Sequence, residues 1–296
     1  MSKNAMDRRE FLKRTGVAAA GVSAATALGD TQAAGPSSPL KKAVQLGMLP
    51  KEMSDAEKLA LARSCGFEGI EAYPMEDLAA AKRLGDAART VGVPIHSICY
   101  GGWRAPFSAP DSAVIEEGLD GMENALRTAH ALGADAVLLV PAVVNEKVRY
   151  IEAWERSQEH IPKLFPLAEE LGVVIAVENV WNNFLLSPLE FARYVDAFES
   201  PWLRAYFDVG NVVAFGWPQD WIRTLGQRIC KIHLKDFKRE GRQWVNLREG
   251  DVNWIEVRRA LDEVGYTGYM TTELPGGDEA YLKDLSERID AIIAGA

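Results

Sequence analysis

The stretch LGVVIAVE, residues 171–178, contains the local pattern from which the fold can be predicted. Gly172 is a residue type that commonly ends a helix, because glycine adopts the left-handed backbone conformation without a steric penalty. The following residues, 174–178, form a short apolar run, which is typical of a parallel strand buried on both faces. Glu178 closes that run, so a carboxylate is predicted at the carboxyl end of the strand.

The same order of helix end, glycine and apolar strand recurs along the chain, and each predicted strand is followed by a longer pattern with helical spacing. Eight such units in roughly 255 residues predict one (β/α)8 TIM barrel over residues 41–296. A doubly wound open sheet is the alternative, and it is disfavoured because no glycine-rich phosphate loop follows the first strand. The other predicted strands are residues 44–48, 69–73, 95–98, 136–140, 205–208, 230–234 and 269–273.

Composition and charge exclude several classes of protein. The chain has 33 Lys and Arg residues against 42 Asp and Glu residues, and its net charge of −9 argues against nucleic acid as a partner, because phosphate binding needs a basic surface. Its 3 cysteines cannot build a disulfide framework or a zinc site of four thiolates. Its 4 histidines are too few for a polynuclear histidine-rich centre, but they are enough for one mononuclear metal site.

The N-terminal segment has the composition of an export signal. Residues 7–13, DRREFLK, contain paired arginines, residues 15–28 are apolar and uncharged, and small residues follow at 31–34. This order resembles a twin-arginine (Tat) signal peptide over residues 1–34, with residues 35–40 as a linker. It predicts the Tat export machinery as a partner and a periplasmic or secreted location. The apolar run is too short for a stable membrane span.

Polar residues stand at or near the ends of six predicted strands, where a TIM barrel keeps its active site. The last four come from strands five to eight and are expected to converge on one side of the barrel mouth. Their three carboxylates and one imidazole favour one divalent ion, Mn, Co, Mg or Zn. Such an ion would stabilise an enediolate, and two of the carboxylates would exchange a proton at the reacting carbon. The six residues are Glu71, His96, Glu178, Asp208, His233 and Glu273.

Two further candidates for substrate binding follow the seventh strand. Lys235 is expected to point the same way as His233, because alternate residues of a strand share a face. Residues 237–253 form a long, charge-rich loop that includes Arg239 and Trp244 and is expected to close over the site. A surface lysine and a solvated loop are the alternatives.

Three more candidates come from the first half of the predicted barrel. Glu71 and His96 stand at the ends of strands two and three, and we expect both to contact the substrate. Trp103, in the loop after the third strand, is expected to form a stacking wall beside the site. A hydrogen-bonded structural histidine is the alternative for His96. His130 and His160 lie in helical patterns and receive no catalytic role.

Five short segments resemble the sugar phosphate isomerase/epimerase superfamily, the xylose isomerase-like TIM barrels. The resemblance covers essentially the whole predicted barrel, and it is nearest to the L-ribulose-5-phosphate 3-epimerase and D-tagatose 3-epimerase group. Taken together the segments identify the superfamily, but they do not specify a substrate. They are VENV (177–180), FDVGN (207–211), KIHLKD (231–236), REGDVNW (248–254) and TEL (272–274).

The resemblance implies roles for individual residues. Glu178, Asp208, His233 and Glu273 would hold one divalent metal ion, and Glu178 and Glu273 would also be the acid/base pair. Asn211 stands where some tagatose-type epimerases have a substrate-binding histidine, so this substrate contact is altered. The usual aspartate before the tryptophan of the 248–254 segment is replaced by asparagine, which also caps helices well.

These observations together predict a metal-dependent sugar isomerase or epimerase that acts through an enediolate. An exported enzyme rarely meets phosphorylated pentoses, so a free sugar or keto-sugar is expected as substrate. A 3-keto-glycoside lyase or hydrolase on the same scaffold is the first alternative, and a non-catalytic sugar-binding barrel is another. The DNA-repair branch, endonuclease IV, needs more histidines than this chain has. The sequence does not specify the oligomeric state and allows a homo-oligomer.

Overall fold

The computed structural model describes residues 40–296. The predicted signal peptide, residues 1–34, and the predicted linker up to residue 39 lie outside the described residues, so the export prediction is not tested by the structure. Within residues 40–296, none of the helices combines the length and the apolar character that a membrane span needs.

Eight parallel strands close into a barrel, which confirms the predicted (β/α)8 fold. Neighbouring strands follow chain order around the barrel, and the last strand, β10, pairs with both β7 and β1. Strands β8 (Asp236–Lys238) and β9 (Gln243–Val245) form a separate antiparallel hairpin after β7. The barrel strands are β1 (Lys41–Gln45), β2 (Gly69–Ala72), β3 (Ile95–Gly101), β4 (Ala136–Leu139), β5 (Val174–Glu178), β6 (Leu203–Asp208), β7 (Ile229–Leu234) and β10 (Tyr269–Thr272).

The described residues include nine α-helices. Several begin at a side-chain cap, such as the capping box of Ser54 and Glu57 and the cap that Asn253 provides. Gly92 and Gly133 directly follow two of these helices and have φ angles of 87° and 83°, in the left-handed region that favours glycine. The helices are α1 (Asp55–Ser64), α2 (Leu78–Val91), α3 (Ser112–Leu132), α4 (Tyr150–His160), α5 (Phe165–Leu171), α6 (Pro188–Asp196), α7 (Pro218–Leu225), α8 (Trp254–Glu263) and α9 (Glu279–Ile293).

The first strand differs from its prediction. It was expected over residues 44–48, but β1 begins at Lys41 and ends at Gln45, and Leu46–Met48 is a 3-10 turn. The apolar pattern misses the start because Lys42 is a charged residue that the fold buries. Its ammonium donates to Ser286 Oγ (2.8 Å) and Asp290 Oδ2 (2.7 Å), so α9 provides the partners that make burial of this lysine acceptable.

The apolar core has two parts, which explains why the strands are apolar on both faces. The larger part fills the space between the strands and the surrounding helices, and it includes Val137, Leu139, Ile175 and Val177. The smaller part lies inside the barrel and consists of Ala136, Leu138, Val140, Ala176 and Tyr206. Alternate residues of β4 and β5 therefore face opposite layers, as expected of parallel strands in an α/β barrel.

Candidate metal and sugar site

Four polar side chains converge at the mouth of the barrel, on the neighbouring strands β5, β6, β7 and β10. Glu178 and Asp208 are the last residues of β5 and β6, His233 is next to last in β7, and Glu273 directly follows β10. One ligand atom from each of the four lies within 4.8 Å of the ligand atoms of the others. The structure therefore brings together the four residues that the sequence selects as metal ligands.

The chemistry of this cluster fits a divalent cation. Among the described residues, Asp208 Oδ2 and Glu273 Oε2 are buried oxygens that accept no hydrogen bond. The ammonium of Lys235 lies 3.1 Å from the first and 2.6 Å from the second, but neither contact has hydrogen-bond geometry. Carboxylate oxygens and an imidazole nitrogen are ligands that Mn²⁺, Co²⁺, Mg²⁺ and Zn²⁺ accept. The four side chains are therefore a possible metal-binding group.

The Glu71 carboxylate contacts the His233 imidazole from inside the barrel. Glu71 Oε2 lies 2.7 Å from His233 Nε2, and His233 Nδ1 lies 2.9 Å from both Glu178 Oε1 and Glu273 Oε2. When the ring is neutral, a carboxylate at Nε2 favours the tautomer with its proton on that nitrogen, which leaves Nδ1 as the lone-pair donor. If His233 holds a metal ion through Nδ1, Glu71 would orient the ring through Nε2.

Three residues that the sequence analysis missed complete this support. Gln45 Nε2, Ser97 Oγ and the Tyr206 hydroxyl donate hydrogen bonds of 2.9, 2.8 and 2.8 Å to the Glu71 carboxylate. The Tyr206 ring also packs against the His233 ring, with 4.3 Å between centroids. One signal was present in the sequence, since Tyr206 lies two residues before Asp208 and so shares its face of β6.

The structure corrects the predicted position of Glu71. This residue was expected to contact substrate, but it is 0% exposed and its carboxylate is surrounded by Gln45, Ser97, Tyr206 and His233. The strand end was identified correctly, but the side chain points into the barrel below the metal-binding group. We therefore reassign Glu71 from substrate contact to positioning of His233.

His96 also lies elsewhere than predicted. It is the second residue of β3, which continues to Gly101, so it does not stand at the strand end. The β2–β3 register shifts at this point, so His96 has no register partner on β2, and its side chain reaches β10 across the barrel. There His96 Nε2 lies 3.0 Å from Thr271 Oγ1, and the ring stacks on Tyr269 at 4.1 Å. The predicted substrate contact loses its geometric basis.

Asn211 and Asn179 hold the Asp208 carboxylate and backbone in place. The Asn211 backbone N–H donates to Asp208 Oδ1 (2.7 Å), and its side chain donates to the Asn179 carbonyl (2.9 Å). Asn179 in turn exchanges two hydrogen bonds of 2.9 Å with the Asp208 backbone. The Asn211 side chain is thus engaged by the protein, and its predicted contact with substrate stays a prediction.

The long loop after β7 is folded rather than open. Asp236 accepts hydrogen bonds from the backbone N–H groups of Phe237, Arg248 and Val252 and from Trp254 Nε1, at 2.9 to 3.3 Å. These bonds hold the β8–β9 hairpin and the segment that follows it against the barrel. The segment is therefore an ordered hairpin that forms one wall of the barrel mouth, and its expected closure over the site stays a prediction.

Arg239 and Trp103, two predicted substrate contacts, lie in the loops around the mouth. Arg239 donates to the carbonyls of Val213 (2.9 Å) and Gly216 (3.0 Å), and its guanidinium stacks on Trp217 at 4.2 Å. It therefore ties the hairpin to the loop after β6. Trp103 lies in the loop after β3 and is 49% exposed, so its predicted role as a stacking wall stays a prediction.

A cavity opens beside the metal-binding group. Its volume is about 400 Å³, which falls in the range of small-molecule sites. Lys235 and Glu273 line it together with Trp244 of the hairpin. Lys235 shares a face with His233, as predicted, so the cavity offers a cation, a carboxylate and an indole to a ligand. The remaining lining residues are Gln45, Leu274 and Pro275. We call this space the reaction cavity.

The two outer carboxylates of the metal-binding group differ in their electrostatic surroundings. Burial raises the pKa of Glu178 to about 7, although His233 opposes the shift. Burial also acts on Glu273, but there His233 and Lys235 outweigh it and hold the pKa well below its usual range. The pKa of His233 is raised despite burial, because Tyr206, Glu71 and Glu273 favour the charged imidazole. In the metal-free protein, protons therefore concentrate on Glu178 and His233.

We expect divalent metal binding to release protons and to tighten as the pH rises. The raised pKa values of Glu178 and His233 leave protons on both groups near neutral pH, whereas metal ligands must be deprotonated. Mn²⁺ must therefore displace these protons, and it should bind more tightly at about pH 8 than at about pH 6. Titration calorimetry in buffers of different ionisation enthalpy measures the release. An affinity that stays constant over this pH range contradicts the expectation.

Glu71→Gln should weaken Mn²⁺ binding by about 10- to 100-fold, because the amide keeps the size but loses the charge that orients His233. Calorimetric titration of the variant and the wild-type protein measures the change. Tyr206→Phe is the matched control, since it removes one hydrogen bond to Glu71 and leaves the contact between Glu71 and His233. Equal affinities for the Glu71→Gln variant and the wild-type protein would show that Glu71 does not position the imidazole.

Comparison with known proteins places this geometry in a family. The chain matches the family described as xylose isomerase-like TIM barrel over residues 59–292. It is 31% identical over 252 residues to the provisionally named L-ribulose-5-phosphate 3-epimerase SgbU of Escherichia coli K12, covering 78% of this chain and 88% of that protein. It is 27% identical over 270 residues to L-ribulose-5-phosphate 3-epimerase UlaE of Escherichia coli O1:K1, covering 83% and 94%.

Solved structures have the same fold at lower identity. A D-tagatose 3-epimerase-like protein superposes with a TM-score of 0.73 at 20% identity, covering 85% of this chain and 98% of that one. The 3-keto-D-glucoside 4-epimerase YcjR from Escherichia coli superposes with a TM-score of 0.74 at 14% identity, covering 86% and 99%. The family match spans most of the described barrel and includes all four residues of the metal-binding group. The chain therefore belongs to the xylose isomerase-like TIM barrel family.

Proposed function

We propose that this protein is a metal-dependent sugar isomerase or epimerase that acts on a free sugar or keto-sugar. The observation that carries the proposal is the position of the metal-binding group, whose ligand atoms lie within 4.8 Å of one another beside the reaction cavity. Sugar epimerases among the relatives and structural neighbours support the reaction class.

One divalent ion, Mn²⁺, Co²⁺, Mg²⁺ or Zn²⁺, would be held by Glu178, Asp208, His233 and Glu273. Bound there, it supplies positive charge that stabilises the enediolate formed when a proton leaves the carbon beside a sugar carbonyl. Lys235, 2.6 Å from Glu273 Oε2, adds a second positive charge at the edge of the reaction cavity. Glu71 keeps the His233 ring in one orientation while the charge of the substrate changes.

The order of the strands suits a proton exchange between two carboxylates. Glu178 on β5 and Glu273 after β10 are the outer members of the metal-binding group, and Asp208 and His233 lie between them. A sugar at the centre would therefore meet one carboxylate on each side. For inversion, one carboxyl group must be ionised and take the proton from the carbon, and the other must carry a proton, taken up from solvent, and return it to the opposite face.

Changing either outer carboxylate should stop this exchange. We expect Glu273→Gln and Glu178→Gln to slow deuterium uptake from heavy water into a free ketose by at least about 100-fold, because an amide cannot take up the proton. Mass spectrometry of ketoses incubated with the Mn²⁺-loaded protein measures the uptake, and elemental analysis of each variant reports its metal content. Asp278→Asn is the matched control, since it makes the same change of charge in the loop after β10 and keeps a residue that caps α9.

The outcomes of this experiment separate the candidate functions. Exchange that continues in a metal-loaded Glu273→Gln variant overturns the role of the two carboxylates. Release of an aglycone from 3-keto-glycosides, without epimerisation, favours a lyase or hydrolase on the same scaffold. Sugar binding by the wild-type protein without exchange or cleavage favours a non-catalytic sugar-binding barrel.

We also propose that the chain is exported through the twin-arginine pathway, which supports an unphosphorylated substrate. The basis is the order of segments in residues 1–34. In a bacterium with this pathway, the wild-type chain is expected in the periplasmic fraction and cleaved near residue 34. The double variant Arg8→Lys, Arg9→Lys is expected to stay in the cytoplasm. Immunoblots of the fractions measure this, and the same distribution for both chains contradicts the proposal.

A further inference from the structure

A second cavity lies at the mouth of the barrel, between the loops that follow β5 and β6. Its volume is about 310 Å³, and its lining includes Trp181, Leu186, Phe215 and Arg242. Three of these side chains are large and apolar, and they are 41% (Trp181), 51% (Leu186) and 53% (Phe215) exposed. Exposed apolar side chains grouped around a concavity are typical of ligand-binding grooves. We call this cavity the aromatic pocket.

Trp244 connects the aromatic pocket to the reaction cavity. Its indole lines the reaction cavity, with the Lys235 ammonium 5.7 Å from the ring centroid. It also packs against Trp181 of the aromatic pocket, with 5.1 Å between centroids and 31° between planes. The two cavities are therefore separated by a pair of indoles that contact each other, and a ligand longer than one sugar ring would pass along this pair.

The Trp181 ring is held in place before any ligand arrives. Its Nε1–H donates to the Asn211 carbonyl at 2.8 Å, and its ring meets Phe237 at 88°, with 5.5 Å between centroids. Phe215 is similarly positioned by Trp221, 6.0 Å away. Rings that are already ordered lose little conformational entropy on binding, so they suit recognition of a flat or ring-shaped group.

Two of the cations around the mouth are already engaged by groups of the protein. The Lys235 ammonium is paired with Asp208 and Glu273, and the Arg239 guanidinium is bound to the carbonyls of Val213 and Gly216. Arg242 is the cation of the aromatic pocket, and its guanidinium lies 5.6 Å from the Trp181 centroid. A guanidinium in contact with an indole also stacks on a planar ligand ring.

We propose that the substrate is a glycoside of a keto-sugar, whose reacting keto-sugar ring lies in the reaction cavity and whose second ring, an aromatic aglycone, lies in the aromatic pocket. The assignment of the reacting sugar rests on the proposed function, whereas the aromatic pocket rests on its own geometry. Trp181 and Phe215 bind the second ring by stacking, and Trp244 contacts both parts of the ligand.

A matched pair of probes tests the aromatic pocket. Phenyl and methyl D-glucopyranosides, in both anomeric forms, carry the same sugar and differ in the second group. In titrations of the full-length, Mn²⁺-loaded protein followed by tryptophan fluorescence, we expect the phenyl glycoside of one anomer to bind about tenfold more tightly than its methyl counterpart. Equal affinities, or no binding of any of the four, overturn the proposal.

Substitutions in the aromatic pocket test which residues cause the preference for phenyl glycosides. Phe215→Ala and Trp181→Ala should reduce the ratio of phenyl to methyl affinity to about one. Phe215→Ala is the safer variant, because Trp181 also contacts Asn211 next to the metal-binding group. Leu189→Ala is the control, since Leu189 is 62% exposed on α6 and does not line the pocket. A ratio that is unchanged in both aromatic variants overturns the proposal.

Measurements on the wild-type protein and its variants would also show whether a phosphate group or a second copy of the chain occupies the aromatic pocket. If ribulose 5-phosphate binds more tightly than ribulose, Arg242→Gln removes that difference, and phenyl glycosides show no preference, the pocket is an anion site. If Phe215→Ala changes the mass in mass photometry and phenyl glycosides show no preference, the pocket is covered by a second copy of the chain. Either result overturns the proposal.

Deuterium exchange into free ketoses, measured on the same protein, separates the two proposals. Deuterium exchange without a preference for phenyl glycosides supports the proposed function and overturns the assignment of the aromatic pocket as a binding site for the second ring. A preference for phenyl glycosides without deuterium exchange supports the assignment of the aromatic pocket and contradicts the proposed function.

Discussion

The central constraint in this protein is the burial of several negative charges in one place. Glu71, Glu178, Asp208 and Glu273 are packed around the His233 imidazole, and burying carboxylates is costly unless they are paired. Within the described residues, Lys235 and a protonated His233 supply two positive charges to this group, and a proton on Glu178 removes one negative charge. A divalent cation would displace these two protons and supply two positive charges. The net charge of the group would therefore stay the same when such an ion binds.

The barrel makes this concentration of charge possible because it brings distant parts of the chain to one ring of strand ends. Asp208 and His233 are register partners on β6 and β7, and Glu178 and Glu273 flank them on β5 and after β10. Glu71 reaches His233 from β2, across the barrel interior. The apolar interior below, around Leu138 and Ala176, excludes water and strengthens these contacts.

The predictable features are those that depend on local pattern alone. A strand is predicted where a glycine ends an apolar helix face and a short apolar run follows, as in residues 171–178. The last residue of the run is then predicted to place its side chain at the barrel mouth. The convergence of Glu178, Asp208, His233 and Glu273 therefore follows from four local patterns once the strands are placed in a closed parallel barrel.

The features that could not be predicted depend on contacts between distant segments. His96 contacts Thr271 on β10, a strand that is not adjacent to β3, and the sequence of β3 alone does not show this contact. Glu71 is a support of His233 rather than a substrate contact because a residue on a non-adjacent strand faces it. The β8–β9 hairpin lies in a segment whose many charged residues are typical of a loop, and it is ordered by the buried Asp236, whose hydrogen bonds come from up to 18 residues away.

The hairpin also couples the two halves of the site. His233, Lys235 and Trp244 lie on one continuous segment, so a member of the possible metal-binding group, a cation and the wall of the reaction cavity are positioned together. Asp236 fixes the start of the hairpin, and Arg239 anchors it to the loop after β6. Because the wall is held by hydrogen bonds to backbone atoms, side chains at its tip can change without moving the metal-binding group. We therefore expect the exposed residues around Trp244, and those in the loops that contact it, to determine which ligand binds. The residues at the strand ends beneath them are expected to determine the reaction.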